Sequence, residues 1–430
     1  MKKTIALLTS LCMTAFLLTG CGNTAQNASK PQSENTVTES TGTSNINSIF
    51  DGGSGSEEDP YKISSADTLL KFADSVNDGS QNGYAGIHIQ LMSDINLKDV
   101  KWTPIGNMND KENKSTLFSG SFDGGNHTIS NLNYSSDEDF MCGAGVFGVS
   151  CGEIKNLKVK DAVVKVNGKT SVAIAAVVGY NMGTVDNVTL SGDSQISGNN
   201  CTGGIIGGNN GKVSNCTVEN AVITVIGDNE FGDRIIQNDI AECGGLVIGG
   251  SFGGAIDNCT ATGTIKAEGN EPVGLGGIGG CLEMMDSITN CTSNVTIESK
   301  KGGHAIGGLC GYAGTHSNPD VCLETEGFST KNYPCIIDNC KADVKINADG
   351  ATHVGGLVGT GLYYYGEETA FKITNSSVKG SIDKAVTPGT IAGRAEGSTI
   401  ENCSADITID GVQGTEQVGT TSCMYESADQ

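Results

Sequence analysis

The chain has 430 residues, of which 62 are glycine, 5% are aromatic and one is tryptophan. This composition is unusual for a compact enzyme domain and favours a solenoid, whose coils are short and whose core is narrow. Its 26 basic and 49 acidic side chains give a formal net charge of −23, which disfavours nucleic acid and polyanionic glycans as partners.

The N-terminus predicts an export signal. Two lysines precede the apolar stretch 5–18, which is too short to span a bilayer and is typical of a cleaved signal peptide. It ends in Leu18-Thr19-Gly20-Cys21, which resembles the lipobox of bacterial lipoproteins. We therefore expect residues 1–20 to be removed and Cys21 to carry lipid, which places the protein on the extracytoplasmic side of the cell membrane.

The next two segments predict a tether and a cap. Residues 21–49 are rich in Ser, Thr and Asn and lack the apolar groups that a core needs, so we expect a disordered tether. Residues 50–142 hold the cap and the first coils. A helix is predicted within 64–79, where Ser64 or Ser65 can cap the start and an apolar stripe can cover the open end of the solenoid. The stripe comprises Leu69, Phe72, Ala73 and Val76.

Two short elements alternate along residues 143–421. One is a glycine–apolar strand, such as TGGIIGG from Thr202, and the other is an Asn element, such as VSNCTV from Val213. Each occurs eight times, which indicates the stacked coils of a β-solenoid. The aligned asparagines are Asn156, Asn187, Asn215, Asn258, Asn290, Asn339, Asn375 and Asn402. The position that follows holds cysteine at Cys216, Cys259, Cys291, Cys340 and Cys403.

Apolar and polar residues alternate strictly after each Asn, as a strand requires, but the apolar residue two positions before Asn breaks that alternation. The backbone must therefore bend at Asn, which tolerates the left-handed conformation better than most residues. We expect the asparagines to form a hydrogen-bonded ladder at a corner. The cysteines should point inward, either as core packing or as structural disulfides between neighbouring coils.

The other cysteines suggest further structural roles. Excluding Cys12 and Cys21, 14 of the 16 cysteines remain, an even number that permits disulfides outside the cytoplasm. Cys322 and Cys335 bracket an insertion and are a possible disulfide. No CxxC or Cys/His spacing predicts zinc, so we expect no metal site and no cofactor. Weak calcium binding by acidic loops is the alternative.

Loops of variable length follow the glycine strands and should stack on one face. They carry aromatic residues that could bind a sugar ring or a protein partner. The candidates are Tyr363, Tyr364, Tyr365, Tyr312 and Phe252. The alternative is that these rings shield the core where an insertion leaves the solenoid.

Three longer segments resemble those of bacterial surface proteins that carry GLUG motifs. They are DGGSGSEEDPYKISSADTLLKFA from Asp51, SDINLKDVKWTPIG from Ser93 and FSGSFDGGNHTISNL from Phe118, followed by the glycine–apolar and Asn-Cys elements. The resemblance covers about residues 50–415 and implies a parallel, right-handed β-helix on an exported protein. In that family such modules sit beside varied partners, including IgA-cleaving metallopeptidases. No histidine here begins HExxH, so that activity is not implied.

The sequence thus predicts an all-β parallel β-helix with one N-terminal capping helix and a short tail at 422–430. The expected function is adhesion, with a glycan or a host surface protein as ligand. A polysaccharide lyase or hydrolase is an alternative, but no catalytic residues are identified, since Asp123 reads as a turn residue and Arg234 and Arg394 as surface or turn residues. A passive surface spacer is the other alternative.

Overall fold

A computed structural model describes most of the chain, and its fold is a parallel β-helix with one helix at its N-terminal end. The described residues are 46–79, 81–109, 114–138, 141–169, 171–227, 242–269, 273–282, 286–313, 335–360, 371–395 and 398–420.

The helix α1, Ala66–Asn77, covers the first coils. Ser65 caps it by accepting a hydrogen bond from the Thr68 backbone N–H at 3.2 Å. Phe72 lies at the centre of its buried face and packs against four other rings. These rings are Phe50, Tyr84, Phe118 and Phe122. The apolar stripe predicted from the sequence is therefore the surface that closes the solenoid. Two 3₁₀ turns, Ile46–Ser48 and Asn82–Tyr84, flank this helix in the chain.

Each coil visits four sheets in a fixed order, which we number 1 to 4. One coil illustrates the path: Asn200–Gly203 lies in sheet 1, Ile206–Asn209 in sheet 2, Lys212–Ser214 in sheet 3 and Thr217–Val225 in sheet 4. The chain then enters sheet 1 of the next coil.

The strands of each sheet stack along the helix axis. Sheet 1 contains Asn107–Asn109, Lys114–Thr116, Met141–Ala144, Val172–Ile174, Asn200–Gly203, Gly244–Gly245, Val273–Gly276, His304–Gly307, Thr352–Gly355 and Pro388–Gly389. Sheet 2 contains Phe147–Ser150, Val178–Asn181, Ile206–Asn209, Ile248–Ser251, Gly279–Leu282, Cys310–Ala313, Val358–Thr360, Ala392–Arg394 and Val418–Thr420. Sheet 3 contains Tyr61–Ile63, His88–Leu91, Ser121–Asp123, Glu153–Lys155, Thr184–Asp186, Lys212–Ser214, Ala255–Asp257, Ser287–Thr289, Cys335–Asp338, Phe371–Thr374 and Thr399–Glu401. Sheet 4 contains Ile95–Asn96, Thr128–Ser130, Asn133–Ser136, Lys158–Lys160, Val163–Val166, Thr189–Ser191, Gln195–Gly198, Thr217–Val225, Thr260–Ala267, Thr292–Ser299, Lys341–Ala348, Ser377–Asp383, Ser404–Ile409 and Val412–Gln413.

Strand pairing is parallel throughout the described ranges except at the N-terminal end of sheet 1 and the C-terminal end of sheet 4. The register keeps like residues above one another. In sheet 3, for example, Val185 pairs with Val213 and Val213 with Ile256, all of them buried. The prediction of an all-β parallel β-helix with one capping helix is therefore confirmed. Its right-handed sense stays a prediction.

Sheets 1 and 2 approach each other so closely that one position in the sheet 2 strands has room only for glycine. A Cβ added to Gly207 of sheet 2 would lie 2.3 Å from the carbonyl carbon of Ala173 in sheet 1, and one added to Gly249 would lie 2.3 Å from that of Cys201. This close packing explains the repeated glycines. It also separates two small clusters of buried residues from the main core that runs along the solenoid. We call one of them the second core, which consists of Cys201, Cys243, Cys281, Ala305 and Tyr312.

Candidate functional site

The corner between sheets 2 and 3 is built from stacked glycines. A Cβ on Gly152 would lie 2.1 Å from the Gly120 carbonyl oxygen, and one on Gly183 would lie 1.9 Å from that of Gly152. The same relation holds between Gly211 and Gly183, at 2.0 Å. Any side chain here would force the coils apart, so glycine keeps this corner bare and exposes its polar edges.

A groove of about 320 Å³ runs across the first coils at this corner. Gly120, Gly152 and Gly183 lie along it. Its other lining residues are Gly86, Ile87, His88, Ser119, Ser121, Cys151, Glu153 and Thr184. The groove therefore combines a backbone floor with hydroxyl, imidazole and carboxylate groups.

Glu153 is the charged centre of the groove. Its Oε2 accepts hydrogen bonds from Ser121 Oγ at 2.7 Å and from Lys155 Nζ at 2.6 Å. Partial burial opposes ionisation, but the hydrogen bonds from Lys155 and Ser121 outweigh it and lower the pKa of Glu153 below its ordinary value. Glu153 is therefore a carboxylate at neutral pH, suited to accepting hydrogen bonds from a hydroxylated ligand.

Two long insertions of the repeat belong to the same corner. The segments 314–334 and 361–370 each connect a strand of sheet 2 to the following strand of sheet 3, whereas a third insertion, 228–241, connects sheet 4 to sheet 1. The first two agree with the expectation that variable loops follow the glycine strands. The predicted binding residues Tyr363, Tyr364 and Tyr365 belong to segment 361–370, outside the described residues.

Two of the predicted binding aromatics lie elsewhere. Tyr312 is in a sheet 2 strand and only 1% exposed, so the expectation that it presents its ring on a loop is wrong. Phe252 is half-buried and packs on the same second core, beside Cys201, Cys243 and Cys281. In sheet 2, the in-register positions of successive coils form a column along the solenoid axis. Tyr312 occupies the same column as Gly208 and Gly250. Glycine in that column is the sequence signal that the position is enclosed.

Arg394 lies further along this column, in register with Thr360 on one side and Thr420 on the other. Its side chain is fully buried, so its interpretation as a surface or turn residue is wrong. His353, which is 3% exposed, lies nearby. Burial, followed by the positive charge of Arg394, lowers the pKa of His353 to about 4, so this imidazole is neutral at physiological pH. Arg234 lies outside the described residues.

The corner between sheets 3 and 4 holds the asparagine ladder. All eight aligned asparagines have positive φ, between 51° and 57°. Four of them donate to the asparagine of the preceding coil, as Asn258 does to Asn215 Oδ1 at 2.6 Å. The other four donate to an aspartate, as Asn215 does to Asp186 Oδ1 at 2.7 Å. The ladder is therefore an alternation of amides and carboxylates.

This alternation repeats every two coils, a period that the sequence analysis missed. The residue before Asn is an aspartate in one coil and a hydroxyl residue in the next: Asp186, Ser214, Asp257, Thr289, Asp338 and Thr374. Each hydroxyl donates to the aspartate of the preceding coil, at 2.6 Å for Ser214, 2.6 Å for Thr289 and 2.5 Å for Thr374. Asp123, read as a turn residue, accepts from the Gly125 N–H at 2.8 Å and from Asn156 Nδ2 at 3.1 Å.

The aligned cysteines lie at the start of sheet 4 and face the main core. Cys216, Cys259, Cys291 and Cys340 are at most 1% exposed, and the structure shows them as thiols. Cys403, the last of the aligned cysteines, is half-buried and packs against the main core. Cys335 is buried in sheet 3, whereas its possible disulfide partner Cys322 and the lipidation candidate Cys21 lie outside the described residues.

Two further properties concern the described part of the chain as a whole. There, no cluster of three or more His, Cys, Asp or Glu side chains could hold a metal ion. No helix in the same ranges is long and apolar enough to cross a membrane.

The family profile of the GLUG motif matches residues 240–266 and 350–383, so the chain contains GLUG motifs. Over 167 residues, 36% of this chain, it is 35% identical to halomucin of Haloquadratum walsbyi. Over 150 residues, 33% of this chain, it is 31% identical to a protein of Evansella cellulosilytica that is named a Gly-rich membrane protein. The matches span 2% and 16% of those two relatives. A crystal structure named for an immunoglobulin A1 protease of Bacteroides ovatus aligns with 87% of this chain, covering 84% of its own, at 17% identity and a TM-score of 0.40.

Proposed function

We propose that this GLUG-motif β-helix is a lipid-anchored binding protein of the cell surface. Its binding face is the corner between sheets 2 and 3. The observation that carries the proposal is the continuity of that corner: a polar groove lies over the first coils, and the repeat is interrupted at the same corner in later coils. A solenoid that carries a groove and long insertions along one corner offers an extended surface, which suits an extended ligand.

The groove chemistry supports a glycan as the ligand class. Backbone edges at Gly120 and Gly152, the hydroxyls of Ser119 and Ser121 and the Glu153 carboxylate all suit the hydroxyl groups of a sugar. The acidic chain disfavours polyanionic glycans, so a neutral or cationic glycan is the best match. A host surface protein is the second candidate, supported by the tyrosine run 363–365 in one of the interruptions.

The anchor supports the same proposal from the other end of the chain. The predicted lipobox at Cys21 and the polar segment that follows it would hold the solenoid at the membrane while letting it reach outward. The relative named as a membrane protein agrees with a membrane or surface location.

A screen of residues 46–430 against arrayed glycans and immobilised surface glycoproteins tests the proposal. A variant with Tyr363, Tyr364 and Tyr365 all changed to alanine separates the loop from the groove. Binding retained by this variant would place the ligand on the groove, and binding lost would place it on the tyrosines. If neither protein binds any glycan or glycoprotein, the adhesive function is wrong.

A further inference from the structure

Two cysteines of the second core lie next to each other in adjacent coils of sheet 1. Thr202 pairs with Gly244 in the register, so Cys201 lies opposite Cys243. Their sulfurs are 3.6 Å apart, and the Cys243 thiol donates to the Cys201 sulfur. The two side chains are 2% and 1% exposed.

We propose that Cys201 and Cys243 form a disulfide that ties these two coils together in the exported protein. Neighbouring strands lie about 4.8 Å apart, within the Cα separation that a disulfide spans. The proposal rests on the extracytoplasmic location of the proposed function, because thiols persist in the cytoplasm.

The sulfur pair occupies space that is open because Gly250 has no side chain. A Cβ on Gly250 would lie 3.1 Å from the Cys201 sulfur and 3.4 Å from the Cys243 sulfur. Both sulfurs therefore sit over the side-chain position that Gly250 lacks. Phe252 packs against the cluster and lies 3.3 Å from the same position, which shields the pair from solvent.

A third cysteine, Cys281, contacts the cluster but has a different role. Its sulfur would lie 2.4 Å from a Cβ on Gly274. In sheet 1, Gly274 lies opposite Cys243 in the next coil. Cys281 thus fills the space that Gly274 leaves empty. The sulfur contact of 3.6 Å and the direct register in sheet 1 favour Cys201 over Cys281 as the partner of Cys243.

The bond forms by thiol–disulfide exchange with a small or protein disulfide as oxidant. One thiolate attacks the oxidant to give a mixed disulfide, and the second thiol then displaces the oxidant's remaining sulfur. Two S–H bonds and the oxidant's S–S bond are replaced by one S–S bond in the protein, and the two protons pass to the oxidant's sulfurs, which leave as two thiols. The hydrogen bond with Cys201 lowers the pKa of Cys243, but contact with Cys281 and burial outweigh it and raise that pKa well above its ordinary value. Exchange is therefore slow once the coils close, and the bond forms during folding.

The disulfide closes a loop between residues 42 positions apart, which includes the interruption 228–241. Closing such a loop restricts the unfolded chain, so reduction should lower the melting temperature by about 5 °C for a chain of this size.

Peptide mapping of the unreduced protein tests the pairing in two preparations. One is the full chain isolated from the cell envelope, with thiols alkylated at lysis. The other is the mature chain refolded from the reduced state in a buffer of reduced and oxidised glutathione. We expect a peptide linked through Cys201 and Cys243 in both. The Cys201→Ala, Cys243→Ala and double variants should lose equal thermal stability, whereas Cys281→Ala should keep the linked peptide.

The remaining outcomes contradict the proposal in distinguishable ways. A folded, refolded chain in which both cysteines are alkylated, or in which Cys243 is linked to Cys281, overturns the pairing itself. A linked peptide in the refolded chain but not in the envelope preparation overturns the disulfide in the exported protein, and the failure then lies in the proposed location.

Discussion

At the scale of single residues, asparagine explains how one sequence repeat turns a corner. Each aligned Asn adopts a positive φ that alanine avoids, and its amide bonds to the coil before it. Both features were predictable from the broken alternation around Asn, because only a bend reconciles the two buried positions. The alternation of aspartate and hydroxyl residues was not predicted, because it becomes visible only when coils are compared in pairs.

Replacing Asn215 separates the contribution of the left-handed backbone from that of the side-chain hydrogen bonding. Asn215→Ala loses the hydrogen bonds to Asp186 and from Asn258 and places alanine in the left-handed region, so we expect a loss of about 2 kcal/mol in the free energy of unfolding. Asn215→Gly loses only the two hydrogen bonds and should cost about half as much. Urea unfolding followed by circular dichroism measures both. Equal losses would show that the left-handed backbone contributes nothing.

The ladder should also make the protein sensitive to acid. Hydrogen bonds from Thr374 and Asn375 lower the pKa of Asp338 below its ordinary value. A depressed folded-state pKa stabilises the protein above the unfolded-state pKa, and this stabilisation disappears as the pH falls through the folded-state value. Asp338→Asn should therefore weaken the decline in the urea midpoint between pH 5 and pH 2. An identical decline in the variant would show that Asp338 does not take part.

At the scale of strands and corners, glycine decides how closely the elements pack. The repeated glycines predicted a solenoid correctly, but they did not reveal which sheets touch. Tyr312 shows the consequence: the sequence suggested a loop at this position, but it is a buried position of a sheet 2 strand. The structure was needed because the two sides of a sheet 2 strand are both covered, so burial does not alternate along it.

Two glycines provide a matched test of this packing. Gly152→Ala would place its Cβ 2.1 Å from the Gly120 carbonyl oxygen, so we expect a loss of at least about 2 kcal/mol in the free energy of unfolding. Gly279→Ala would meet nothing closer than 3.9 Å and should change that free energy by less than about 1 kcal/mol. Urea midpoints of the two variants compare them directly. A mild Gly152→Ala variant would contradict the tight corner.

At the scale of the whole molecule, the repeat specifies the scaffold, and the insertions 314–334 and 361–370 belong to the corner that carries the groove. The parallel stacking, the capping helix and the position of these two insertions after glycine strands all followed from the sequence. The groove did not, because its residues come from four coils and share no motif. Its location becomes evident only when Gly120, Gly152 and Gly183 are seen to stack.

The anchor is tested by changing one residue. Cys21→Ala removes the acylated side chain, so we expect the protein to move from the detergent-soluble membrane fraction to the soluble fraction. Fractionation with metabolic labelling by a fatty acid measures both properties. A Cys21→Ala protein that still carries label and sediments with membranes would contradict the lipoprotein assignment.

The binding face is tested most directly by two isosteric changes made on different sides of the solenoid. Glu153→Gln removes the charge from the groove, whereas Glu219→Gln makes the same change on an exposed position of sheet 4. The measurement is the affinity of both variants and the parent protein for one glycan array. We predict binding that is weakened about tenfold or more by Glu153→Gln and unchanged by Glu219→Gln. Equal binding by all three proteins would show that the groove is not where the ligand sits.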